Sequence, residues 1–198
     1  MSKPFILGLT GSIGMGKSAV AAMFHGLDVP VFDADAAVHE LQGPGGALLG
    51  AIEAAFPGST GPAGVDRPKL GTLVFGDKAK LAQLEAIVHP AVAAMRKRFL
   101  VNHAAAPLVV FDIPLLFEKG GNHGLDGVLV VSASAEAQRA RVLARPGMTG
   151  EKFAKILALQ VPDSEKCARA DWVIDTGTSL AETRHAVQRL VHQLLGEK

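Results

Sequence analysis

Gly11, Ser12, Ile13, Gly14, Met15, Gly16, Lys17 and Ser18 match the pattern G-x-x-x-x-G-K-[ST] without a gap. The chemistry such a run can do is phosphate binding. Its glycines let the backbone fold into a nest of inward-pointing N–H groups, and a helix starting behind it adds the positive end of its dipole. Lys17 contributes a mobile cation that can stabilise a transferring phosphoryl group, and Ser18 a hydroxyl suited to Mg²⁺. In a chain with 22 glycines among 198 residues, chance supplies roughly 0.01 such matches. The context sharpens the signal further, because an apolar run, Phe5 to Leu9, precedes it and a helical segment from Ala19 to Phe24 follows. Residues 11 to 19 therefore form the expected nucleotide-phosphate site.

Acidic residues at the ends of other apolar runs supply partners for that site. Asp112 closes the run Leu108 to Phe111 and could orient Mg²⁺ or its water; the alternative is an ordinary polar residue at a strand end. Asp33 and Asp35 follow the run Val29 to Phe32, and open α/β sheets bind ligands at that carboxyl edge. Strand alternation would aim both carboxylates to one side, one to take a proton from an attacking hydroxyl and the other to hold metal or substrate. Helix capping is the plainer role for one of them. Gln138, Arg141 and Arg145 recur at i, i+3 and i+7, one face of a helix, with Arg139 on another. That guanidinium row could meet ATP phosphates or stack on adenine, or be a solvated cationic face. Lys152, Lys155 and Lys166 continue the basic segment, which a hinge at Pro146-Gly147 could close as a water-excluding lid.

Around these residues the chain is ordinary globular material. It is 48% hydrophobic and carries 20 Lys+Arg against 19 Asp+Glu, so bulk charge asks for neither nucleic acid nor an acidic membrane. No apolar stretch reaches the length of a membrane span. The single cysteine, Cys167, cannot close an intramolecular disulfide, and cytoplasm is the expected compartment. His185 and His192 share a helix face with no third ligand beside them. Further short apolar runs at Gly127 to Val131 and Trp172 to Ile174 alternate with helical segments, which predicts an α/β three-layer fold around a five-stranded parallel sheet. Residues 36–107 read as a helical, strand-free insertion carrying substrate contacts. The nucleotide-binding core is then 1–35 with 108–145 and 169–198, and the lid is 146–168. Ser134 caps a helix running to Arg145, another runs from about Thr149 to Gln160, and Ser179 with Glu182 forms a capping box for the last.

Taken together, the chain resembles the dephospho-CoA kinase family over nearly its whole length. The resemblance rests on the P-loop and on Val31-Phe32-Asp33-Ala34-Asp35. It extends through Asp66-Arg67, Leu84 to Pro90, Pro114-Leu115-Leu116-Phe117-Glu118, Gln138 with Arg141 and Arg145, Gln160 with Pro162 and Lys166, and Ala170-Asp171. It implies phosphorylation of the ribose 3′-hydroxyl of dephospho-CoA by ATP with Mg²⁺, ATP and dephospho-CoA being the small-molecule partners. It also implies acceptor contacts from Asp33, Asp35, Arg67, His89, Pro114, Leu115 and Glu118 and phosphate contacts from Arg141 and Arg145, beside the metal candidates Ser18 and Asp112 read from the residues themselves. Asp35 matches the position of the family's catalytic base. Two features depart from the family: Ser12 stands for a glycine, and Thr176 stands where asparagine is usual, a change that bears on adenine contacts. Rival readings are a P-loop kinase for another small molecule, such as a nucleoside monophosphate, and a GTP-dependent switch; the switch needs an N/T-K-x-D segment, and the sequence has none.

Overall fold

A computed structural model describes residues 3–118, 120 and 124–196. β1 (Phe5–Thr10) leads through the P-loop into α1 (Lys17–His25) and then β2 (Val31–Asp33). Next come α2 (Ala34–Gln42), α3 (Leu49–Ala55), a hairpin of β3 (Thr60–Gly61) and β4 (Gly64–Val65), α4 (Arg67–Val74) and α5 (Lys78–Asn102). The chain returns through β5 (Leu108–Asp112), β6 (Gly127–Ser132), α6 (Ala135–Leu143), α7 (Gly150–Ala158), α8 (Asp163–Ala168), β7 (Trp172–Asp175) and α9 (Leu180–Leu195). It forms two compact units, residues 1–32 with 103–198 and residues 33–102.

In the first unit the sheet order is β2-β5-β1-β6-β7, a parallel α/β sheet of five strands. Its central strands read as unbroken apolar runs because both faces are covered: every residue of β5 is buried, and so are five of the six in β1 and in β6. On one face Leu7, Leu9, Val20, Phe24, Leu129 and Val187 bring α1 and α9 against the sheet. On the other, Val128 and Val130 pack on Leu116 and Phe117 from the turn after β5. Each such side chain contributes about 1.5–3 kcal/mol by leaving water. The register places Leu9 opposite Asp112 and Thr10 opposite Val130, so the strand ends that carry the P-loop and Asp112 are neighbours.

The capping signals of the sequence are realised. The hydroxyls of Ser134 and Thr149 accept the N–H groups of Ala137 and Lys152, and the Ser179–Glu182 box is complete. α6 stops at Leu143, ahead of the Arg145-Pro146 pair that disfavours helix. Helix α8 leaves no signal in the sequence, because six residues behind Pro162 are too few to show a period.

The second unit, 33–102, packs Leu41, Leu48, Ile52, Phe56 and Leu70 into a small core of its own. It is not strand-free: Thr60 pairs with Val65 and Gly61 with Gly64 in a two-residue ladder too short for the sequence to announce. Gly64 needs to be glycine, since its φ is +100° and a Cβ would come 2.5 Å from the Gln42 carbonyl oxygen. α5 has no fully buried residue along 25 positions and contains Pro90, which deprives the Ala86 carbonyl of its usual donor. Among the described residues no helix is long and apolar enough to cross a membrane.

Candidate active site

The phosphate loop is held open by its glycines. Gly14 and Gly16 take φ of +80° and +83°, the left-handed region that a nest requires. A Cβ on Gly14 would sit 2.5 Å from Val142 Cγ2 and 3.1 Å from the Gln138 carbonyl oxygen, so strain and space both exclude a side chain there. Gly16 is the N-cap of α1, which begins at Lys17 and places Ser18 and Ala19, both exposed, in its first turn. The Ser12 carbonyl accepts the Met15 N–H at 3.1 Å, so the substitution of serine for the family's glycine leaves the loop's internal bond intact. Two glutamines hold Ile13: its N–H donates to Gln160 Oε1 at 3.1 Å, and its carbonyl accepts from Gln138 Nε2 at 2.7 Å.

The Lys17 ammonium is ion-paired with the carboxylate of Asp112, which is buried at the end of β5. Thr10 Oγ1 donates to the Pro114 carbonyl at 3.3 Å, tying the turn that carries Pro114 and Leu115 to β1. Arg141 donates to the Thr176 carbonyl at 2.6 Å and to Thr176 Oγ1 at 3.2 Å, and that hydroxyl lies 2.8 Å from the Met15 carbonyl. A chain of hydrogen bonds thus joins Arg141 to the P-loop. Gln138, expected on the same functional face, is buried and spends its amide on the loop backbone instead of facing solvent. Arg145 is exposed, beyond the end of α6.

Glu118 is also committed within this unit. One carboxylate oxygen accepts the Val161 N–H at 3.0 Å and lies 2.8 Å from the fully buried Lys166 ammonium, an ion pair without hydrogen-bond alignment. Burial alone would raise the Glu118 pKa. The Lys166 ammonium and the backbone N–H groups of Glu118 and Val161 outweigh burial and hold it below its ordinary value near 4.5. Burial, with Asp163 beside it, pushes the Cys167 thiol up, which makes it a poor nucleophile.

In the helical unit the expected geometry of the two aspartates is corrected. Strand β2 ends at Asp33, and Asp35 lies in the first turn of α2, so strand alternation does not relate them. Asp33 is the N-cap: its Oδ1 accepts the Ala36 N–H at 2.9 Å. Asp35 is exposed and lines an open groove of about 470 Å³ with His39, Arg67, Leu70, Val74 and Leu84. Arg67 Nη1 lies 2.9 Å from His39 Nε2. His39 belongs to no motif in the sequence, although its i+4 spacing from Asp35 puts it on the same helix face. His89 is exposed on α5, directly before Pro90. Among the described residues no group of three or more His, Cys, Asp or Glu side chains could hold a metal. Mg²⁺ asks for less, taking one or two protein oxygens beside phosphate and water, and the Ser18 hydroxyl with the Asp112 carboxylate is a donor set of that kind.

Residues 5–182 match the family model described as dephospho-CoA kinase. A dephospho-CoA kinase of Novosphingobium aromaticivorans is 69% identical, over 98% of this chain and 96% of its own. The chain belongs to the dephospho-CoA kinase family. A solved structure from Thermus thermophilus, 37% identical, superposes with a TM-score of 0.86 over 98% of this chain and 99% of the other. The dephospho-CoA kinase of Campylobacter jejuni, 24% identical, shares the fold at a TM-score of 0.63, covering 98% of each chain. Within a dephospho-CoA kinase, Thr176 is a departure from the usual asparagine, and its hydroxyl is turned inward onto Met15 and Ser132 carbonyls. The side chain at this position therefore braces the P-loop.

Proposed function

We propose that the protein transfers the γ-phosphoryl group of ATP to the 3′-hydroxyl of the ribose of dephospho-CoA, giving coenzyme A and ADP. The observation that carries this reading is the Lys17–Asp112 pair at the mouth of a complete phosphate nest, in a chain of this family. When ATP enters, Lys17 exchanges the Asp112 carboxylate for phosphate oxygens and stabilises the charge that develops there. Ser18 and Asp112 would hold Mg²⁺, which neutralises phosphate charge when bound. Arg141 and Arg145 supply further cationic contacts to ATP, with Arg141 already anchored to the loop bracing the P-loop. Asp35 orients the acceptor hydroxyl and takes its proton late in the transfer. It suits this role better than Asp33, whose Oδ1 is committed to capping α2. Arg67, held by His39, offers a guanidinium to the anionic acceptor. His89, Pro114 and Leu115 are assigned to acceptor recognition with it, while Glu118 contributes by fixing the segment that carries Pro114 and Leu115. A single unpaired cysteine suits the cytoplasm, where ATP is at hand.

A coupled ADP-release assay across acceptors tests the reading. Dephospho-CoA is expected to be productive, with AMP, shikimate and pantothenate near background. ADP release driven equally by AMP or shikimate would overturn it.

A further inference from the structure

The backbone on both sides of the Ile13 Cα is gripped by side chains from separate elements. Gln160, just beyond α7, accepts the Ile13 N–H at 3.1 Å, and Gln138 of α6 donates to the Ile13 carbonyl at 2.7 Å. The partners fix both amide orientations, because a backbone N–H only donates and a carbonyl only accepts. Gripping two successive peptide planes fixes φ and ψ of the residue between them. A trans peptide also points its C=O and N–H in opposite directions. Drawing the Ile13 carbonyl toward Gln138 therefore turns the Gly14 N–H the other way, and Gly14 begins the left-handed part of the nest. Gln138 is buried at 5% exposure, so its amide is not free to serve solvent, and Val142 one turn further along α6 closes the space beside Gly14.

We propose that Gln138 and Gln160 are positioning residues for the phosphoryl donor, acting through opposite hydrogen-bond polarity on Ile13 to pre-set the Gly14 N–H toward the anion. The inference rests on the ATP-binding reading of the P-loop. Both residues flank the stretch 146–158, Gln138 on α6 before it and Gln160 in the bend that follows α7.

The test compares Q138L, Q138E, Q160L and Q160E in the full chain. It reads ADP affinity by calorimetry, KM for ATP and for dephospho-CoA, and melting without nucleotide. Each leucine variant is expected to weaken ADP binding and raise KM for ATP by about 10-fold, the scale of one hydrogen bond, leaving KM for dephospho-CoA in place. Q160E should regain most of that loss, since a carboxylate still accepts an N–H. Q138E should regain none, because its oxygens face a carbonyl. Both glutamate variants add the same charge beside the same residue, so their difference isolates polarity from electrostatics. Equal recovery by Q138E and Q160E, or leucine variants that bind ADP like the native chain, would overturn the inference. If the 138 variants fail to melt cooperatively, the half-buried position 160 decides: equal affinities of Q160L and Q160E reject it. A native chain that does not bind ADP rejects the donor-site reading itself.

Discussion

The two compact units treat their functional side chains in opposite ways. In the unit 1–32 with 103–198, several candidate groups are already held, Lys17 by Asp112, Arg141 by Thr176, Ile13 by two glutamines and Glu118 by Lys166, while Ser18 and Arg145 are exposed. In the unit 33–102, Asp35, Arg67 and His89 are exposed, and the longest helix buries none of its residues fully. Phosphate chemistry gains from donors fixed in advance, as the backbone at Ile13 and the Arg141 guanidinium are, because reorganising dipoles during transfer would cost the barrier reduction they provide; Lys17 is held differently, by a carboxylate it would exchange on binding. On the proposed function, an acceptor-binding role for the second unit would tolerate side chains that settle on binding.

That contrast can be broken by substitution. Lys17→Ala should have the largest effect, a kcat loss of about 10³–10⁵-fold; because it also takes the ammonium away from the buried Asp112 carboxylate, the melting temperature should fall as well. A near-normal rate would remove the P-loop from the chemistry. Asp35→Asn should lower kcat by about 10²–10⁴-fold while ADP affinity stays as it was, which stopped-flow and calorimetry together can read. If Asp33→Asn loses the rate and Asp35→Asn keeps it, the base is the capping residue instead. Glu118→Gln should act on stability: leaving the buried Lys166 ammonium without its counter-charge costs about 3 kcal/mol in denaturant unfolding at neutral pH. The sign with pH follows from its lowered pKa. The carboxylate stabilises the fold above its ordinary value near 4.5 and loses that contribution as pH falls through the depressed value, so the variant should show a flatter acid limb. Arg141→Ala should raise KM for ATP by about 10-fold, more than Arg139→Ala, because only Arg141 reaches Thr176 and the P-loop. Equal effects would reject the difference between the two faces of α6.

Much of this was legible in the sequence where the signal is local. Five apolar runs gave five strands, and Ser134, Thr149 and Ser179 gave helix starts, because burial on both faces and capping leave their mark within a few residues. The aspartates show where locality fails. A run ending in Asp33 looks the same whether the chain continues as strand or turns into helix at Ala34, and only the cap from Asp33 to Ala36 decides it. Partners far apart in the chain, such as Glu118 with Lys166 or Ile13 with Gln160, carry no spacing that sequence alone can read. Family resemblance named those residues without saying what they touch.

The strand order has a consequence for how the protein is made on the ribosome. β1 pairs with β5 through Phe5 and Leu108, and with β6 through Leu7 and Gly127. At elongation rates of about 5–20 residues per second, the nascent first strand waits several seconds for its neighbours, while residues 33–102 are complete and have a core of their own. The Met15 carbonyl waits longer, since Thr176 follows it by 161 positions. The P-loop segment is thus among the first synthesised and among the last to take shape, and until then its apolar strand is a natural client for whatever shields emerging chains.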